Sequence, residues 1–406
     1  MEIRTLEALG DVAGRRVFVR TDFNVPLQGG AVVDDARIRA SLPTLKELLG
    51  AGASLVVATH LGRPKGKVVD ELRLGSVVER LSELLTQNVV SLDEVVGEKV
   101  QTACEHLEPG EVVMLENLRF DPREERDDEG FAAELAELAD AYVDDAFGAV
   151  HRAHASVSAL PRVMLGSGRP TAAGRLLQME VEALSKLLED PARPYVAVLG
   201  GAKVSDKLAT IGALVERVDA LLIGGAMAFT FIAAAGGEVG DSLVERDRLD
   251  EVRAAKRSAD DRGVVIQLPE DVIVAPEVSV EAKRGTVPAT QVPRGQKGLD
   301  IGPRSVEEFA RSIADARTIL WNGPMGVFEL EPFGAGTRGV ATAIAGSDAY
   351  TVVGGGDSLA AIKKYGLEDG FDHLSTGGGA SLEFLEGRSL PGVQVLRIGA
   401  GEAAGT

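Results

Sequence analysis

The sequence predicts an α/β protein made of two doubly wound parallel-sheet lobes that a hinge helix joins. Short β-branched runs alternate along the chain with stretches of helical period, which is typical of βαβ units. The 406 residues are enough for two or three domains, each with its own core. A segment rich in proline and glycine precedes one long helical stretch near the middle and separates the two lobes.

Eight apolar runs predict buried strands, and most of them end in Gly, Asn or Asp before a helical stretch. These runs are 17–20, 55–59, 112–115, 195–199, 220–223, 264–268, 318–321 and 350–353. Steps of three and four residues predict a helix through Ile38, Leu42, Leu45 and Leu49, and another through Val204, Leu208, Ile211, Val215 and Val218. This number of strands is compatible with a barrel or with two open, Rossmann-like sheets, and the central boundary favours the two sheets.

The boundary lies between about 155 and 195, where prolines and glycines flank a helical stretch over 172–189. We predict an N-terminal lobe over 1–170, an interlobe hinge helix over 171–190 and a C-terminal lobe over 191–388. A tail over 389–406 remains, for which packing on the N-terminal lobe is one option. Its small residues 399–406 are expected to fray.

The charge balance excludes several classes of function. With 43 Lys and Arg against 62 Asp and Glu, the net charge of −19 argues against general nucleic-acid binding, which needs a basic surface. The single cysteine, Cys104, excludes an intramolecular disulfide, and the first residues lack the pattern of a signal peptide, so we expect a cytoplasmic protein. The uncharged stretch 220–237 is interrupted by glycines and flanked by acidic residues, which favours a strand, a turn and a core helix over a membrane span.

Polar and basic residues gather at predicted strand ends in the first half of the chain. They are Asp22, Asn24, Arg37, His60, Arg63, Arg119, His151 and Arg152. An isolated arginine is usually a surface residue, but several in strand-to-helix connections predict a site for carboxylate or phosphate, which the guanidinium group binds through paired hydrogen bonds. The two histidines could be general bases or neutral hydrogen-bond donors.

Two glycine-rich turns in the second half predict a polyphosphate site. The segment 199–207 is a strand, a Gly-Gly turn and a helix start, which places Lys203 and Lys207 on one face of the first helical turns. The segment 352–358 is a strand followed by three glycines, Asp357 and Ser358. Asp357 would hold a hard divalent cation, or it would only cap the helix at a tight structural turn.

Two common nucleotide motifs do not apply. The chain has no G-x-x-x-x-G-K-[ST] sequence. The segment 334–339 fits G-x-G-x-x-G, but it follows Glu-Pro-Phe and not a strand, which disfavours a dinucleotide-dependent dehydrogenase. A binding protein without turnover is the second alternative, and the presence of both basic sites with an acidic metal ligand argues against it.

At these residues the chain resembles the phosphoglycerate kinases nearly from end to end. The matching segments are RTDFNVPL (20–27), HLGRP (60–64), LENLRF (115–120), DDAFGAVHRAHAS (144–156), LGGAKVSDK (199–207), LDIGP (299–303), WNGPMGVFE (321–329), GGGDS (354–358) and STGGGASLEFLEG (375–387). The resemblance implies a monomeric, two-lobed kinase. It implies direct in-line transfer of a phosphoryl group between 1,3-bisphosphoglycerate and ADP, giving 3-phosphoglycerate and MgATP, in a cleft that closes.

The resemblance also implies the site residues. The glycerate ligand would meet Asp22, Phe23, Asn24, Arg37, His60, Leu61, Gly62, Arg63, Arg119 and Arg152. The nucleotide would meet Lys203, Lys207, Gly298, Asn322, Glu329, Gly355, Gly356, Asp357 and Ser358, with Mg²⁺ on Asp357. Arg37, Lys203 and the amides of Gly355 and Gly356 would surround the migrating phosphoryl group. The sequence departs from the family pattern at Ala226, where glycine is expected, and at Arg175 and Met179 in the hinge helix.

Overall fold

The computed structural model describes residues 1–399, which divide into two compact units. The first unit comprises Met1–Glu182 together with 389–399, and the second unit is Ala183–Arg388. The division falls inside the long helix, whereas the sequence suggested that the helix forms a separate segment over 171–190. Residues 400–406, which include most of the tail expected to fray, lie outside the described residues.

A six-stranded parallel sheet forms the centre of the first unit. The strands of this unit are β1 (Arg16–Thr21), β2 (Leu27–Gln28), β3 (Ala31–Val32), β4 (Ser54–Ala58), β5 (Val89–Ser91), β6 (Val112–Met114), β7 (Ala141–Asp145) and β8 (Thr171–Ala173). β2 and β3 form a hairpin, and the others pair in the order β5-β6-β4-β1-β7-β8. The later strands of this sheet lie on both sides of β1, with β4, β5 and β6 on one side and β7 and β8 on the other. The sheet is therefore doubly wound, and its switch point lies beside β1.

Helices connect these strands in the first unit. They are α1 (Ala36–Gly50), α2 (Gly75–Leu85), α3 (Glu98–Glu105), α4 (Glu129–Ala136), α5 (Leu160–Gly166) and the start of α6 (Arg175–Glu189). Short helical turns occur at Leu6–Leu9, Asp70–Leu72, Leu118–Phe120, Glu124–Arg126, Phe147–Ala149 and Ala155–Ala159. The predicted period of α1 is confirmed, because Ile38 and Leu45 are buried against β1 and β4 while Leu42 and Leu49 pack at the edge of this core.

The second unit contains a second six-stranded parallel sheet. Its strands are β9 (Tyr195–Leu199), β10 (Ala220–Ile223), β11 (Glu238–Val239), β12 (Val265–Gln267), β13 (Asp271–Ala275), β14 (Gly285–Pro288), β15 (Gln291–Val292), β16 (Lys297–Ile301), β17 (Thr318–Asn322), β18 (Tyr350–Gly354) and β19 (His373–Leu374). The main sheet has the order β12-β10-β9-β17-β18-β19. β14-β13-β16 form an antiparallel sheet, and β11 pairs with β15. The prediction of two open, doubly wound sheets is therefore confirmed.

The helices of the second unit alternate with its strands. They are α7 (Leu208–Val215), α8 (Met227–Ala234), α9 (Leu249–Asp261), α10 (Pro303–Ala314), α11 (Ala335–Ala345), α12 (Gly356–Tyr365) and α13 (Gly379–Leu385), with short turns at Arg246–Arg248, Glu331–Phe333 and Glu368–Gly370. The stretch 220–237 is β10, a turn and α8, as predicted. Within residues 1–399, no helix combines the length and the apolar character that crossing a membrane requires.

Three local predictions were wrong. The long helix starts at Arg175 and not at 172, because Thr171–Ala173 forms β8 beside β7. β7 was not predicted, because Asp144 and Asp145 interrupt the apolar pattern of this strand. All five of its residues are nevertheless buried. Lys203 and Lys207 do not lie on the first turns of a helix, because α7 begins only at Leu208.

The tail returns to the first unit. It contains the short helix α14 (Pro391–Val395). The amide of Gly392 donates to the carbonyl of Val150 at 3.0 Å, and the carbonyl of Leu396 accepts from the amide of Arg4 at 2.8 Å. Residues 389–399 thus contact the same unit as the N-terminus of the chain.

The three residues of α6 and of the turn before α8 that depart from the family pattern have local explanations. The guanidinium of Arg175 lies 2.7 Å from Glu7 and 2.6 Å from Glu47, so ion pairs replace the expected apolar contact. Met179 is 48% exposed and fills no core position. Ala226 has an ordinary φ of −65°, and the left-handed residue of that turn is Gly225, with φ of 66°. Alanine at 226 therefore imposes no backbone strain.

Candidate functional site

The carboxyl edge of the first sheet brings together residues from four separate segments. Asp22 follows β1, His60 follows β4, Arg119 follows β6, and Gly148 follows β7. Open parallel sheets bind ligands at this edge beside the switch point. Because β1, β4 and β7 are neighbours in the sheet, segments far apart in sequence meet here.

Arg37 and Asp22 form the ion pair at the centre of this edge. Arg37 lies in the first turn of α1, and its Nη1 donates to Oδ2 of Asp22. The Asp22 side chain is 9% exposed and that of Arg37 is 37% exposed, so the guanidinium remains accessible to a ligand. A Cβ atom at Gly148 would lie 2.3 Å from the Asp22 carboxylate, which explains the glycine there.

Arg119 lies in a buried position on the loop after β6. Its Nη1 donates to the carbonyl of Gly62 at 2.8 Å, while its Nε lies 3.6 Å from Glu125. Burial lowers the pKa of Arg119 to about 10, and the positive charge of Arg20 acts in the same direction. Arg119 is therefore still a cation near neutral pH. Asn117 organises this loop, because its side chain accepts from the amides of Leu61 and Arg119.

Other predicted ligand residues divide into exposed and buried groups. Arg63, Arg152 and Asn24 are exposed, and Asn24 accepts from the amide of Gly62 at 2.9 Å. The side chains of Phe23 and Leu61 are buried. Their amides already donate, at 2.8 Å to Thr59 and at 3.2 Å to Asn117 respectively. These two residues therefore shape the site from beneath.

The second unit holds a cavity of about 480 Å³ at the corresponding edge of its sheet. Glycine-rich turns after β9 and β10, the segment after β17, and residues of β16 line it, among them Gly201, Gly225, Phe229, Gly298, Glu329 and Asp357. Its wall is mostly apolar, while Glu329 and Asp357 supply polar groups at the exposed side. This combination suits a ligand with an apolar ring and a charged end.

Lys207 is a half-buried cation beside this cavity. Its Nζ donates to the Asn322 carbonyl at 2.7 Å and also to the Asn322 side-chain oxygen. Burial lowers the pKa of Lys207 to about 8, although Asp357 opposes this effect. Lys203 is exposed in the loop before α7. Ser205 stabilises the same loop, because its hydroxyl donates to Glu245 at 2.6 Å.

If Lys207 binds the phosphates of ADP, as the family resemblance implies, its lowered pKa predicts a pH dependence. We then expect the KM for ADP to be constant between about pH 7 and 8 and to rise above pH 8, because Lys207 loses its proton as pH increases through about 8 and an anion binds the cationic form. Lys207→Arg should remain charged and shift this rise to higher pH. Initial rates across this interval test it, and an ADP KM that stays constant in the wild type would contradict it.

The turn after β18 presents main-chain amides to solvent. Gly355 has φ of 91°, a left-handed conformation that favours glycine, and α12 begins at Gly356. The amides in the first turn of a helix lack intrahelical acceptors and attract anions. Asp357 is exposed there, whereas Ser358 is buried and its hydroxyl accepts from the amide of Gly323 at 2.6 Å. Ser358 therefore joins this turn to the end of β17.

Gly298 lies in β16, directly against an aromatic ring of the cavity wall. A Cβ atom at this position would lie 1.9 Å from Cζ of Phe229. We expect Gly298→Ala to lower the free energy of unfolding by about 1–3 kcal/mol, because the ring and the strand must separate. Urea titration measures this change.

Gly285 in β14 is the matched control, since a Cβ atom there meets nothing within 4 Å. Gly285→Ala should change the free energy of unfolding by less than about 1 kcal/mol. Equal losses of stability in the two variants would contradict the packing argument.

Several residues of these sites were missed in the sequence. Arg20 and Thr59 lie in or beside apolar strands, where the pattern indicated only core. Glu124 and Glu245 lie outside the matching segments, and Ser156, the last residue of the segment 144–156, was given no role there. Asn117 follows a strand, so its position could have drawn attention.

The fold and the two sites together define a class of protein. One unit carries arginines at a sheet edge, a chemistry that suits a small anion. The other contains a cavity with a lysine and a helix N-terminus beside it, a chemistry that suits a phosphorylated ligand. This is the arrangement of an α/β kinase that acts on a small anionic substrate.

Comparison with known proteins assigns the family. A family model for phosphoglycerate kinase matches residues 6–388. The phosphoglycerate kinase of Thermomicrobium roseum is 55% identical over 394 residues, which cover 97% of this chain and 99% of that protein. The crystal structure of phosphoglycerate kinase from Pyrococcus horikoshii OT3 matches with a TM-score of 0.85 at 34% identity, over 99% of this chain and all of that one. The structure of phosphoglycerate kinase from Coxiella burnetii matches with a TM-score of 0.88 at 39% identity, over 97% of this chain and 98% of that one.

The chain belongs to the phosphoglycerate kinase family. It is thus a transferase of glycolysis, whose reaction is phosphoryl transfer between 1,3-bisphosphoglycerate and ADP. The resemblance drawn from the sequence motifs is confirmed.

Proposed function

We propose that the two units divide this reaction between them. The first unit binds 3-phosphoglycerate or 1,3-bisphosphoglycerate through Arg37, Arg63, Arg119 and Arg152, and the second binds ADP or ATP in its cavity. The observation that carries this proposal is the convergence of arginine-bearing loops on one sheet edge in a chain whose net charge is −19. Local cations in an acidic chain indicate selection for an anionic ligand.

The chemistry requires positioning and charge balance more than a protein nucleophile. In the direction of ATP consumption, a carboxylate oxygen of 3-phosphoglycerate attacks the γ-phosphorus in line. The new O–P bond forms as the bond to the ADP oxygen breaks. We propose that Arg37, Lys203 and the amides of Gly355 and Gly356 stabilise the charge on the transferring oxygens.

The metal proposed for the reaction is Mg²⁺ on Asp357. This carboxylate is exposed at the start of α12, next to the amides proposed for phosphate. Within residues 1–399, no group of three or more His, Cys, Asp or Glu side chains could hold a metal ion. A single carboxylate fits Mg²⁺, which commonly takes its other ligands from substrate phosphates and water. When bound, the ion would neutralise phosphate charge.

Asp357→Asn should therefore weaken the response to metal. We expect the Mg²⁺ concentration for half-maximal rate to rise by about tenfold or more, because a neutral amide oxygen is a poorer ligand for a hard cation. Rates measured over a magnesium titration at saturating nucleotide test this. Asp372→Asn is the matched control, because the Asp372 carboxylate accepts hydrogen bonds from the amide and hydroxyl of Thr351. This replacement should leave the magnesium response unchanged. An unchanged magnesium titration in Asp357→Asn would exclude Asp357 as the ligand.

We further propose that a closing movement gates transfer, since Arg37 belongs to one unit and Lys203 to the other. Closure would also exclude water that could hydrolyse the acyl phosphate. Small-angle scattering should show compaction only when both substrates are bound. No compaction in the ternary mixture would contradict closure.

The decisive experiment is a coupled assay of ATP consumption with the purified full chain. We expect turnover to require both 3-phosphoglycerate and Mg²⁺. Tight binding of either substrate without turnover would instead support the binding-protein alternative. We propose that the chain acts as a monomer in the cytoplasm, where glycolytic substrates are found, and light scattering tests the monomer.

A further inference from the structure

A chain of buried polar side chains lies beneath the first-unit site, and its central member is Arg20. Arg20 is fully buried in β1. Its Nε donates to Oγ of Ser156 at 2.8 Å, its Nη1 donates to the carbonyl of Thr21, and its Nη2 lies 3.2 Å from Nδ1 of His60. These three contacts fix the plane of the guanidinium group.

The other end of this chain is anchored by Glu124. The hydroxyl of Ser156 donates to Glu124 Oε1 at 2.6 Å, and the Ser156 amide donates to Oε2 at 2.9 Å. Glu124 is fully buried, and the positive charge of Arg20 opposes the effect of burial, which raises the pKa of this carboxyl. The arginine and the glutamate therefore stabilise each other through the serine.

The contact between Arg20 and His60 determines which nitrogen of the imidazole carries the proton. A guanidinium group has only donors, so Nδ1 of His60 must supply the lone pair. We infer that Arg20 is a positioning residue that holds His60 as the neutral tautomer with its proton on Nε2. That nitrogen faces Asp22, whose Oδ1 lies 4.0 Å away, which is beyond hydrogen-bond distance.

The remaining charged groups around His60 act in the same direction, with one exception. Besides Arg20, these groups are Arg119 and Arg37, and both disfavour a second proton on the ring. His154 also lies nearby, but burial lowers its own pKa to about 3, so it is neutral near neutral pH. Asp22 is the exception. Burial is the largest cause that holds the pKa of His60 well below its usual range, followed by the charge of Arg20.

The consequence concerns substrate binding and rests on the proposed function. His60 supplies one N–H donor to an oxygen of the glycerate ligand without adding charge, while the arginines supply the charge. Protonation at Nδ1 would place two donors against each other at 3.2 Å. His60 is therefore a poor general base as well, because its unprotonated nitrogen faces the protein interior.

Nitrogen-15 NMR of the histidines in the full-length protein tests the tautomer directly. We expect His60 to show a protonated Nε2 and an unprotonated Nδ1 between about pH 5 and 8, the interval in which an ordinary histidine changes charge. His106 is an internal reference for the opposite tautomer, because its Nδ1 lies 2.7 Å from the carbonyl of Thr102 and must be the protonated nitrogen when the ring is neutral. His60→Gln assigns the signal. A proton on Nδ1 of His60 at neutral pH would overturn the inference.

Variants connect the tautomer to binding. In Arg20→Met combined with Glu124→Gln, the Glu124 carboxylate is removed together with the cation that stabilises it, although the buried Asp144 also loses the favourable charge of Arg20. The His60 spectrum of this variant should show both tautomers. The KM for 3-phosphoglycerate should then rise by about tenfold or more, with the KM for ATP unchanged. Glu124→Gln alone is the matched control, in which Arg20 keeps its contact and the tautomer should persist. A single Nε2–H tautomer in the double variant would overturn the role of Arg20.

The two kinds of failure are distinguishable. If 3-phosphoglycerate does not bind but the wild-type spectrum shows Nε2–H on His60, the proposed function is wrong and the tautomer assignment holds. If 3-phosphoglycerate binds but the spectrum shows Nδ1–H on His60, the tautomer assignment is wrong and the proposed function holds. The wild-type spectrum decides this even if the double variant does not fold.

Discussion

Arg37→Ala is expected to lower kcat by about 100- to 1,000-fold, because it removes a charge proposed to act on the transferring phosphoryl group. The KM for nucleotide should hardly change, since Arg37 belongs to the first unit. The KM for 3-phosphoglycerate should rise as well, because the substitution leaves the Asp22 carboxylate without its cation next to an anionic ligand. Steady-state kinetics with each substrate varied in turn separates these effects.

A double variant controls for the unpaired carboxylate. Asp22→Asn combined with Arg37→Ala removes the negative charge, so the KM for 3-phosphoglycerate should partly recover while kcat stays low. Full recovery of kcat in the double variant would show that Arg37 only neutralises Asp22. A kcat in Arg37→Ala equal to that of the wild type would remove Arg37 from the transition state altogether.

The second large effect is expected at Lys203. Lys203→Ala should lower kcat by about 100- to 1,000-fold with little change in the KM for ADP, because this exposed lysine is proposed to act on the migrating phosphoryl group, which ADP lacks. Lys207 is different, because its Nζ donates a hydrogen bond to Asn322 beside the cavity. We expect Lys207→Ala to affect mainly nucleotide binding. Comparing kcat with KM in the two alanine variants separates the two roles.

Lys256→Ala is the matched control for Lys203→Ala. Lys256 lies on α9 in the same unit and pairs with Asp260 at 2.5 Å, so replacing it removes one positive charge without touching the cavity lining. Its kcat should equal that of the wild type. A similar loss of kcat in both variants would mean that overall charge, and not the position of Lys203, controls the rate.

Much of the fold could be predicted from local pattern. The strands β1, β4, β9, β10, β17 and β18 lie within one or two residues of their predicted limits, because uninterrupted β-branched runs are typical of buried parallel strands. β7 escaped prediction because two of its buried residues are aspartates, and their burial depends on neighbours in other segments. β8 was assigned to a helix because three residues carry too little periodicity to distinguish the two structures.

The candidate sites divide in the same way. Glycine turns and arginines at strand ends are visible in sequence, since turn geometry and charge depend on residue type. The need for glycine at 298 was not explicable there, because the Phe229 ring that excludes a side chain comes from another element. The proposed ligand roles of these residues stay predictions until the variants are measured.

The sequence by itself determined the fold class, the family and the chemical kinds of group at each strand end, because these follow from residue type and spacing along the chain. Only the tertiary structure decided the states of those groups. The lowered pKa of Lys207, the proton position inferred for His60 and the accessibility of Arg37 depend on burial and on partners in other segments. Hydrogen-bond geometry and desolvation act through space, so they are set only when those segments pack together.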